Sequence, residues 1–125
     1  MFHFQTLDCY RCAVSFIPHA YGLAKLGDGE LAAQLRRAAL SISLNIAEGT
    51  GRFGKDERKF LITARGSAFE CAAALDALLV LGIRDSRIAD GHELLVRVVS
   101  TLTKMINKPN KAPMPTPTPT PTPSD

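Results

Sequence analysis

The chain lacks any apolar run long enough to cross a membrane. No stretch approaches the roughly 20 apolar residues that a membrane-spanning helix needs, and the N-terminus lacks the charged-then-apolar order of a signal peptide. Cysteine is scarce as well, because Cys9, Cys12 and Cys71 are an odd number in apolar surroundings and do not suit the paired framework of a small secreted protein. These absences predict a cytoplasmic protein whose cysteines are reduced and packed in its core.

The length allows one small domain followed by a tail. The 125 residues have ordinary apolar content, which suffices for one core and not for two domains of typical size. Prolines recur at alternate positions from Pro115 to Pro123, where they remove backbone donors and favour an extended chain. We predict a bundle domain over residues 1–108 and a disordered Pro-Thr tail over residues 109–125. A solvated end is favoured over a spacer or a docking segment for a proline-binding module.

The first half of the domain has the apolar spacing of two helices. Thr6 is a candidate cap for the first helix, in which Pro18 should introduce a kink because its ring clashes with the preceding turn. Asp28 is a candidate cap for the second helix, which is predicted to end at Gly49.

The second half has the same spacing and contains no strand pattern. A loop at residues 50–54 leads to a long third helix, and a fourth helix is predicted to start near Asp90 and to stop before Pro109. Because the connections are short, the expected fold is all-α, an up-down-up-down four-helix bundle.

The second helix is apolar on two faces. At about 100° per residue, one face holds Leu31, Leu35, Ala38, Ala39, Ile42 and Ile46, and the nearly opposite face holds Ala33, Leu40, Leu44 and Ala47. One face is enough to build a bundle core, so the other would remain in water in a monomer. We therefore predict that Leu40, Leu44 and Ala47 form the interface of a homo-oligomer.

A polar stripe runs between these two faces. It consists of Gln34, Arg37, Ser41, Asn45 and Glu48, spaced by three and four residues. Polar groups pinned beside apolar faces must find hydrogen-bond partners. Since small Gly66 and Ser67 should let the second and third helices approach closely, we predict a largely buried network that joins Arg37, Asn45 and Glu48 to Ser67 and Glu70.

The loop after the second helix resembles two phosphate-binding motifs. Residues from Gly49 to Gly54 satisfy G-x-G-x-x-G, and the extension to Lys55 satisfies the start of G-x-x-x-x-G-K. Both motifs need a preceding strand, whereas a helix comes first here, and Asp56 occupies the position that needs Ser or Thr. A helix-ending Gly49 followed by a flexible basic connector is the favoured interpretation.

Other catalytic or metal-binding patterns are weak. Cys9 and Cys12 share a helix face, and packing of small buried residues is favoured over a metal site with His19. The histidines have no acidic partner at a recognisable spacing, so no nucleophile and base can be paired. We expect a protein that is not an enzyme, with no metal and no cofactor.

Basic residues concentrate in the middle of the chain. Between Arg36 and Arg65 there are seven cations and three anions, a net charge of +4 that exceeds the +3 of the whole chain. The predicted nucleic-acid-binding residues are Arg36, Arg52, Lys55, Arg58, Lys59 and Arg65, and Phe53 and Phe60 are candidates to stack on an unpaired base. A solvated face with local ion pairs is an equal alternative for a single bundle, but repetition in an oligomer would strengthen the positive field.

Several segments together resemble one family. They are Leu35 to Ala39, Ser41-Ile42, Asn45 to Gly49, Gly51-Arg52, and Ala64 to Ser67 with Glu70. This order is similar to that of the four-helix-bundle proteins encoded in intervening sequences of bacterial 23S ribosomal RNA genes. The resemblance covers about residues 5–108.

The resemblance implies a small non-catalytic bundle that assembles as a ring, commonly a pentamer. It also implies kinship with accessory variability proteins of diversity-generating retroelements, which bind a reverse transcriptase and nucleic acid. The expected function is an oligomeric basic scaffold that binds RNA, or DNA, or an RNA-protein assembly, without contact with a membrane. The alternatives are a retroelement accessory protein that binds a reverse transcriptase and a purely structural protein-interaction module.

Overall fold

The computed structural model describes residues 1–109, and within this range it has four long helices and no strand. A short 3-10 helix at His3–Thr6 precedes α1 (Asp8–Ala24), α2 (Gly29–Thr50), α3 (Gly54–Val80) and α4 (Ser86–Ile106). The all-α prediction is confirmed. Residues 110–125, which contain most of the predicted Pro-Thr tail, lie outside the described residues.

The helices pack in the order of the chain. Each helix contacts the next and α1 also contacts α4, whereas the diagonal pairs α1–α3 and α2–α4 make no close backbone contact within residues 1–109. This is an up-down-up-down bundle, as predicted. The α2–α3 connection, the start of α1 and the end of α4 therefore meet at one end of the bundle, and the other two connections meet at the opposite end.

Large apolar side chains from all four helices fill the core. Phe16 of α1, Ile42 of α2, Leu75 of α3 and Leu102 of α4 are almost fully buried. Each such side chain contributes roughly 1.5 to 3 kcal/mol when it leaves water, which is the main term that holds the bundle together.

Of the two predicted N-caps, that of α1 is wrong and that of α2 is confirmed. Thr6 does not cap α1, since it lies in the 3-10 helix and its hydroxyl donates to the carbonyl oxygen of His3 at 2.7 Å. α1 remains one helix across the exposed Pro18. Asp28 does cap α2, because its Oδ1 accepts from the backbone N–H of Leu31 at 2.8 Å.

The start of α4 is earlier than predicted. Asp85 is the N-cap in place of Asp90, and its Oδ1 accepts from the backbone N–H of Arg87 at 2.9 Å. The guanidinium of Arg87 also donates to both carboxylate oxygens, at 2.9 and 2.8 Å. These hydrogen bonds lower the pKa of Asp85 to about 2.

Gly49 does not end α2, which continues to Thr50 with Gly51 as its C-cap. Gly49 is buried, and a Cβ atom at this position would lie 2.8 Å from Cβ of Phe60 and 3.3 Å from the carbonyl oxygen of Glu57. The residue is glycine because α2 and α3 approach each other closely here, and not because the backbone turns.

Every helix within residues 1–109 is too short or too polar to cross a membrane.

Candidate nucleic-acid interface

Charge is divided unequally along the bundle. The half that contains the α2–α3 connection (residues 1–16, 40–67 and 97–109) has nine Lys and Arg against four Asp and Glu, so its net charge is 9 − 4 = +5. The other half (residues 17–39 and 68–96) has five against seven, or 5 − 7 = −2. We call these the basic half and the acidic half. A field of this kind attracts polyanions to one end of the molecule.

Four of the predicted nucleic-acid-binding residues lie together at the tip of the basic half. Arg52 is in the α2–α3 connection, and Lys55, Arg58 and Lys59 are in the first turns of α3. All four side chains are exposed. These four residues therefore lie on one exposed surface, and their binding of nucleic acid stays a prediction.

Sequence reasoning missed two cations at the same tip. Lys104 and Lys108, at the end of α4, are both exposed. The available signal was topological, because in an up-down-up-down bundle the end of the fourth helix lies beside the start of the third. We call the six residues Arg52, Lys55, Arg58, Lys59, Lys104 and Lys108 the basic end.

Arg36 and Arg65 do not join the basic end. Arg36 is half-buried in the acidic half and precedes Arg52 by sixteen residues, about 24 Å along a helix. Arg65 is half-buried, and its Nη1 donates to Oγ1 of Thr103 at 3.2 Å. Arg65 therefore links α3 to α4 and lies apart from the other four cations, and its role in nucleic-acid binding stays a prediction.

Arg52 is held by three local partners. It pairs with Glu48 at 3.0 Å and with Asp56 at 3.6 Å, and its guanidinium carbon lies 4.8 Å from the centre of the Phe60 ring. These exposed ion pairs are worth at most about 1 kcal/mol each. One face of Phe60 is thus covered, whereas Phe53 is 59% exposed and leaves its ring open to a ligand.

A groove of about 520 Å³ opens beside Phe53. It lies between the start of α3, the end of α4 and the segment before α1, so three distant parts of the chain build it. Leu61, Met105 and Ile106 form its apolar floor. Its wall includes the cations Arg52, Arg58 and Lys108. Glu57 contributes one carboxylate. We call this cavity the basic-end groove.

A short hydrogen-bonded chain connects α2 to α3. The hydroxyl oxygens of Ser41 and Ser67 lie 2.7 Å apart, and Ser67 is buried. Nδ2 of Asn45 donates to the carbonyl oxygen of Ser41 at 2.8 Å and to its Oγ at 3.0 Å. Asn45 and Ser67 therefore belong to one internal polar contact, as predicted, with Ser41 between them.

The rest of the predicted network is wrong for the single chain. Arg37, Glu48 and Glu70 are exposed, and Glu48 pairs with Arg52 in place of Arg37. Gly66 also faces solvent, where an added Cβ would meet nothing within 4 Å. Arg37 and Glu48 are exposed because, viewed down the axis of α2, they lie at a larger angle from the buried face than Asn45 does.

The two faces of α2 differ as predicted. Leu35, Ile42 and Ile46 are buried in the core, whereas on the opposite face Leu40 is 38% exposed and Leu44 is 65% exposed. Ala47 beside them is half-buried. The exposed face is established, while its burial in an oligomer stays a prediction.

A second exposed apolar face lies on α3 and was not predicted. Ile62 is 46% exposed, Phe69 is 54% exposed and Val80 is 86% exposed. Their spacing places them on one side of the helix. The signal was present in the sequence, because this row runs opposite the buried residues Ala64, Cys71 and Leu78.

The cysteines are buried free thiols. Burial raises the pKa of Cys9 to about 11 and that of Cys71 to about 12, and burial is also the main cause that raises the pKa of Cys12. All three are therefore protonated at neutral pH and enclosed by the core. The part of the chain that the structure describes has no group of three His, Cys, Asp or Glu residues placed to hold a metal ion.

The fold and the charge distribution define a four-helix-bundle protein with one basic end. The chain belongs to the 23S rRNA-intervening sequence protein family, whose family model matches residues 5–108. It is similar to a crystal structure from Bacteroides thetaiotaomicron of a protein with unknown function from the S23 ribosomal protein family. The identity is 19%, the TM-score is 0.73, and the match covers 80% of this chain and 99% of that one. At this identity the match supports the fold alone. No curated protein matches the chain.

Proposed function

We propose that the chain is a non-catalytic, homo-oligomeric scaffold that binds RNA through its basic end. The observation that carries the proposal is the division of charge, +5 in the basic half against −2 in the acidic half. Exposed Lys and Arg bind phosphates without reading sequence, so affinity should depend on salt more than on sequence. The family's description, which refers to 23S rRNA, makes RNA the first nucleic acid to test.

Assembly would repeat the basic end around a ring. Leu44 and Leu40 expose apolar surface on α2, and the neighbouring helix α3 exposes a different apolar row. A ring needs two unlike surfaces that meet between neighbouring copies, and these two faces satisfy that condition. Association costs roughly 4 to 15 kcal/mol, so the two leucines on α2 need the α3 row as an additional contact. The pentamer implied by the sequence resemblance is our working stoichiometry.

The binding surface is tested by reversing one charge at each end of the bundle. Lys59→Glu changes the basic end, and Lys25→Glu makes the same charge change at an exposed position in the acidic half. Fluorescence anisotropy with labelled single-stranded RNA should show that Lys59→Glu loses at least about tenfold in affinity, while Lys25→Glu stays within about twofold of the parent. Equal losses in the two variants would mean that only net charge matters and would contradict the proposal.

Salt dependence provides a second readout of the same experiment. The logarithm of the association constant should fall linearly with the logarithm of salt concentration, with a slope of about −0.7 for each phosphate contacted on a single strand. Lys59→Ala should make this slope shallower by the contribution of about one phosphate contact. A parent protein whose RNA affinity does not change with salt would contradict binding through the basic end.

One observation favours a second candidate function, a protein-interaction module such as a partner of a reverse transcriptase. Val80 is 86% exposed and Leu81 is 61% exposed, at the end of α3 in the acidic half. Exposed apolar residues near acidic groups suit a partner with a basic surface. A purified reverse transcriptase that binds the chain without RNA, and that loses binding to Leu81→Glu, would favour this function over the first.

A further inference from the structure

We propose that the basic-end groove holds one unpaired base of a single-stranded RNA, with the flanking phosphates outside it. This inference rests on the proposed RNA-binding function and specifies the state of the RNA that the basic end accepts. It concerns one groove, the aromatic side chain of Phe53 and the cations that line the groove.

The groove has the size and the floor that a flat heterocycle needs. Its volume of about 520 Å³ lies in the range of small-molecule sites and exceeds what one base requires. Leu61 and Ile106 on its floor are almost fully buried, being 2% and 4% exposed. Bases have apolar faces, and an apolar floor of this kind removes such a face from water.

Phe53 is in position to stack on the inserted base. It lines the groove, and its exposed fraction is 59% in the absence of a ligand. It also occupies the N-cap of α3, where no side chain accepts a hydrogen bond from the first turn. Ser, Thr, Asp and Asn are the residues that favour this position, so the aromatic ring departs from the local helix rule. Local departures of this kind concentrate at functional sites.

The charges around the groove are complementary to a nucleotide within a strand. Arg58 and Lys108 supply positive charge on the wall, within a half of the bundle whose net charge is +5. Glu57 places a half-buried carboxylate in the same groove, which disfavours a phosphate inside it. A carboxylate accepts hydrogen bonds from the exocyclic amino group of a base. The base therefore points inward and the phosphates lie along the cations outside.

Stacking is measured directly with a single fluorescent reporter. The chain contains no tryptophan, so Phe53→Trp introduces a unique fluorophore at the proposed stacking position. A single-stranded RNA oligonucleotide should quench this fluorescence over the concentration range in which anisotropy reports binding. Tyr21→Trp, at a partly exposed position in the acidic half, is the matched control and should not be quenched.

A second variant separates stacking from a structural role. Phe53→Ser removes the ring and supplies the acceptor that the start of α3 lacks, so its melting temperature should not fall below that of the parent. Its affinity for single-stranded RNA should fall by about 5- to 150-fold, the range for loss of one stacked base, while its affinity for duplex RNA should stay unchanged.

The outcomes separate this inference from the proposed function. A parent chain that binds no RNA overturns both. If the parent binds RNA in a salt-dependent way but RNA does not quench Phe53→Trp, the proposed function stands and base insertion into the groove is wrong. The same conclusion follows if Phe53→Ser binds single-stranded RNA as tightly as the parent does. If Phe53→Ser loses affinity equally for single-stranded and duplex RNA and also melts at a lower temperature, Phe53 has a structural role. This result also contradicts stacking on a base. If adenosine monophosphate quenches Phe53→Trp at the same concentration as the oligonucleotide, the groove binds a free nucleotide as well as it binds an RNA strand, and the proposal of a strand is wrong.

Discussion

The guanidinium carbon of Arg52 lies 4.8 Å from the centre of the Phe60 ring, so the α2–α3 connection packs against the first turns of α3. A cation over an aromatic face contributes roughly 0.5 to 1 kcal/mol at an exposed site. The contact also determines which aromatic ring is available to a ligand, because it covers Phe60 and leaves Phe53 exposed. The same junction depends on Gly49, which lies within the last turn of α2.

Replacement of Gly49 by alanine should destabilise the bundle by roughly 1 to 3 kcal/mol. The added Cβ would lie 2.8 Å from Cβ of Phe60, so the two helices would have to move apart. Gly29→Ala is the control, since its Cβ would meet nothing within 4 Å. Urea unfolding at one protein concentration should show a loss for Gly49→Ala only. Equal stability of the two variants would mean that α2 and α3 do not approach closely at this point.

The polar contact between α2 and α3 should contribute more to the free energy of unfolding than the exposed ion pair of Glu48 does. Ser67→Ala removes a buried hydroxyl that lies 2.7 Å from Oγ of Ser41, and should cost about 0.5 to 1.5 kcal/mol. Glu48→Ala removes an exposed carboxylate and should cost at most about 1 kcal/mol. The two costs are read from urea unfolding curves. A loss of about 3 kcal/mol or more for Glu48→Ala would show that this carboxylate is buried with a charged partner, as in the original sequence-based prediction.

The helices were predictable because apolar spacing reports directly which side of a helix is buried. Their boundaries were less so, since the pattern near Asp90 did not reveal that Asp85 caps α4 or that Ile88 is buried. Gly49 was interpreted as a helix end because glycine is common there. Its actual role, a close approach between two helices, depends on Phe60 in the next helix, and local sequence does not report that contact.

The candidate site was predictable only in part. Lys55 and Lys59 follow from the local charge run, but Lys104 lies far along the chain and reaches the same end only through the topology of the bundle. The basic-end groove has no sequence signature, because three separate segments build it. The polar stripe on α2 correctly predicted a polar contact between α2 and α3. The spacing of its residues did not show that Arg37 is exposed and lies away from that contact.

Leu44→Glu should reduce the size of the assembly without unfolding the bundle. Leu44 is 65% exposed in the single chain, so a charge there costs little within the bundle but is unfavourable inside an interface. Val96→Glu, on α4 at 50% exposure, is the control for a new charge on an exposed apolar residue. Size-exclusion chromatography with light scattering should show a smaller species for Leu44→Glu alone, with unchanged helicity by circular dichroism. An unchanged mass for Leu44→Glu would remove α2 from the interface.

Glu57 should influence which base the groove prefers. If its carboxylate accepts from an exocyclic amino group, single-stranded oligoadenylate should bind more tightly than oligouridylate of the same length, because uracil has no such group. Glu57→Ala should raise affinity for both by removing a negative charge, and it should reduce the ratio between them. The ratio of the two dissociation constants is the measurement. A ratio that is unchanged in Glu57→Ala would show that the carboxylate does not contact the base.

Sedimentation velocity with fluorescently labelled single-stranded RNA tests assembly and binding in one measurement. The 13.5 kDa chain should sediment at micromolar concentration as a homo-oligomer, with five copies as the working stoichiometry, and the RNA label should move with that species at low salt and separate from it at high salt. Lys59→Glu should keep the oligomer and release the RNA. A chain that sediments as a 13.5 kDa monomer, with the label moving as free RNA at low salt, would contradict the proposal of an oligomeric RNA-binding scaffold.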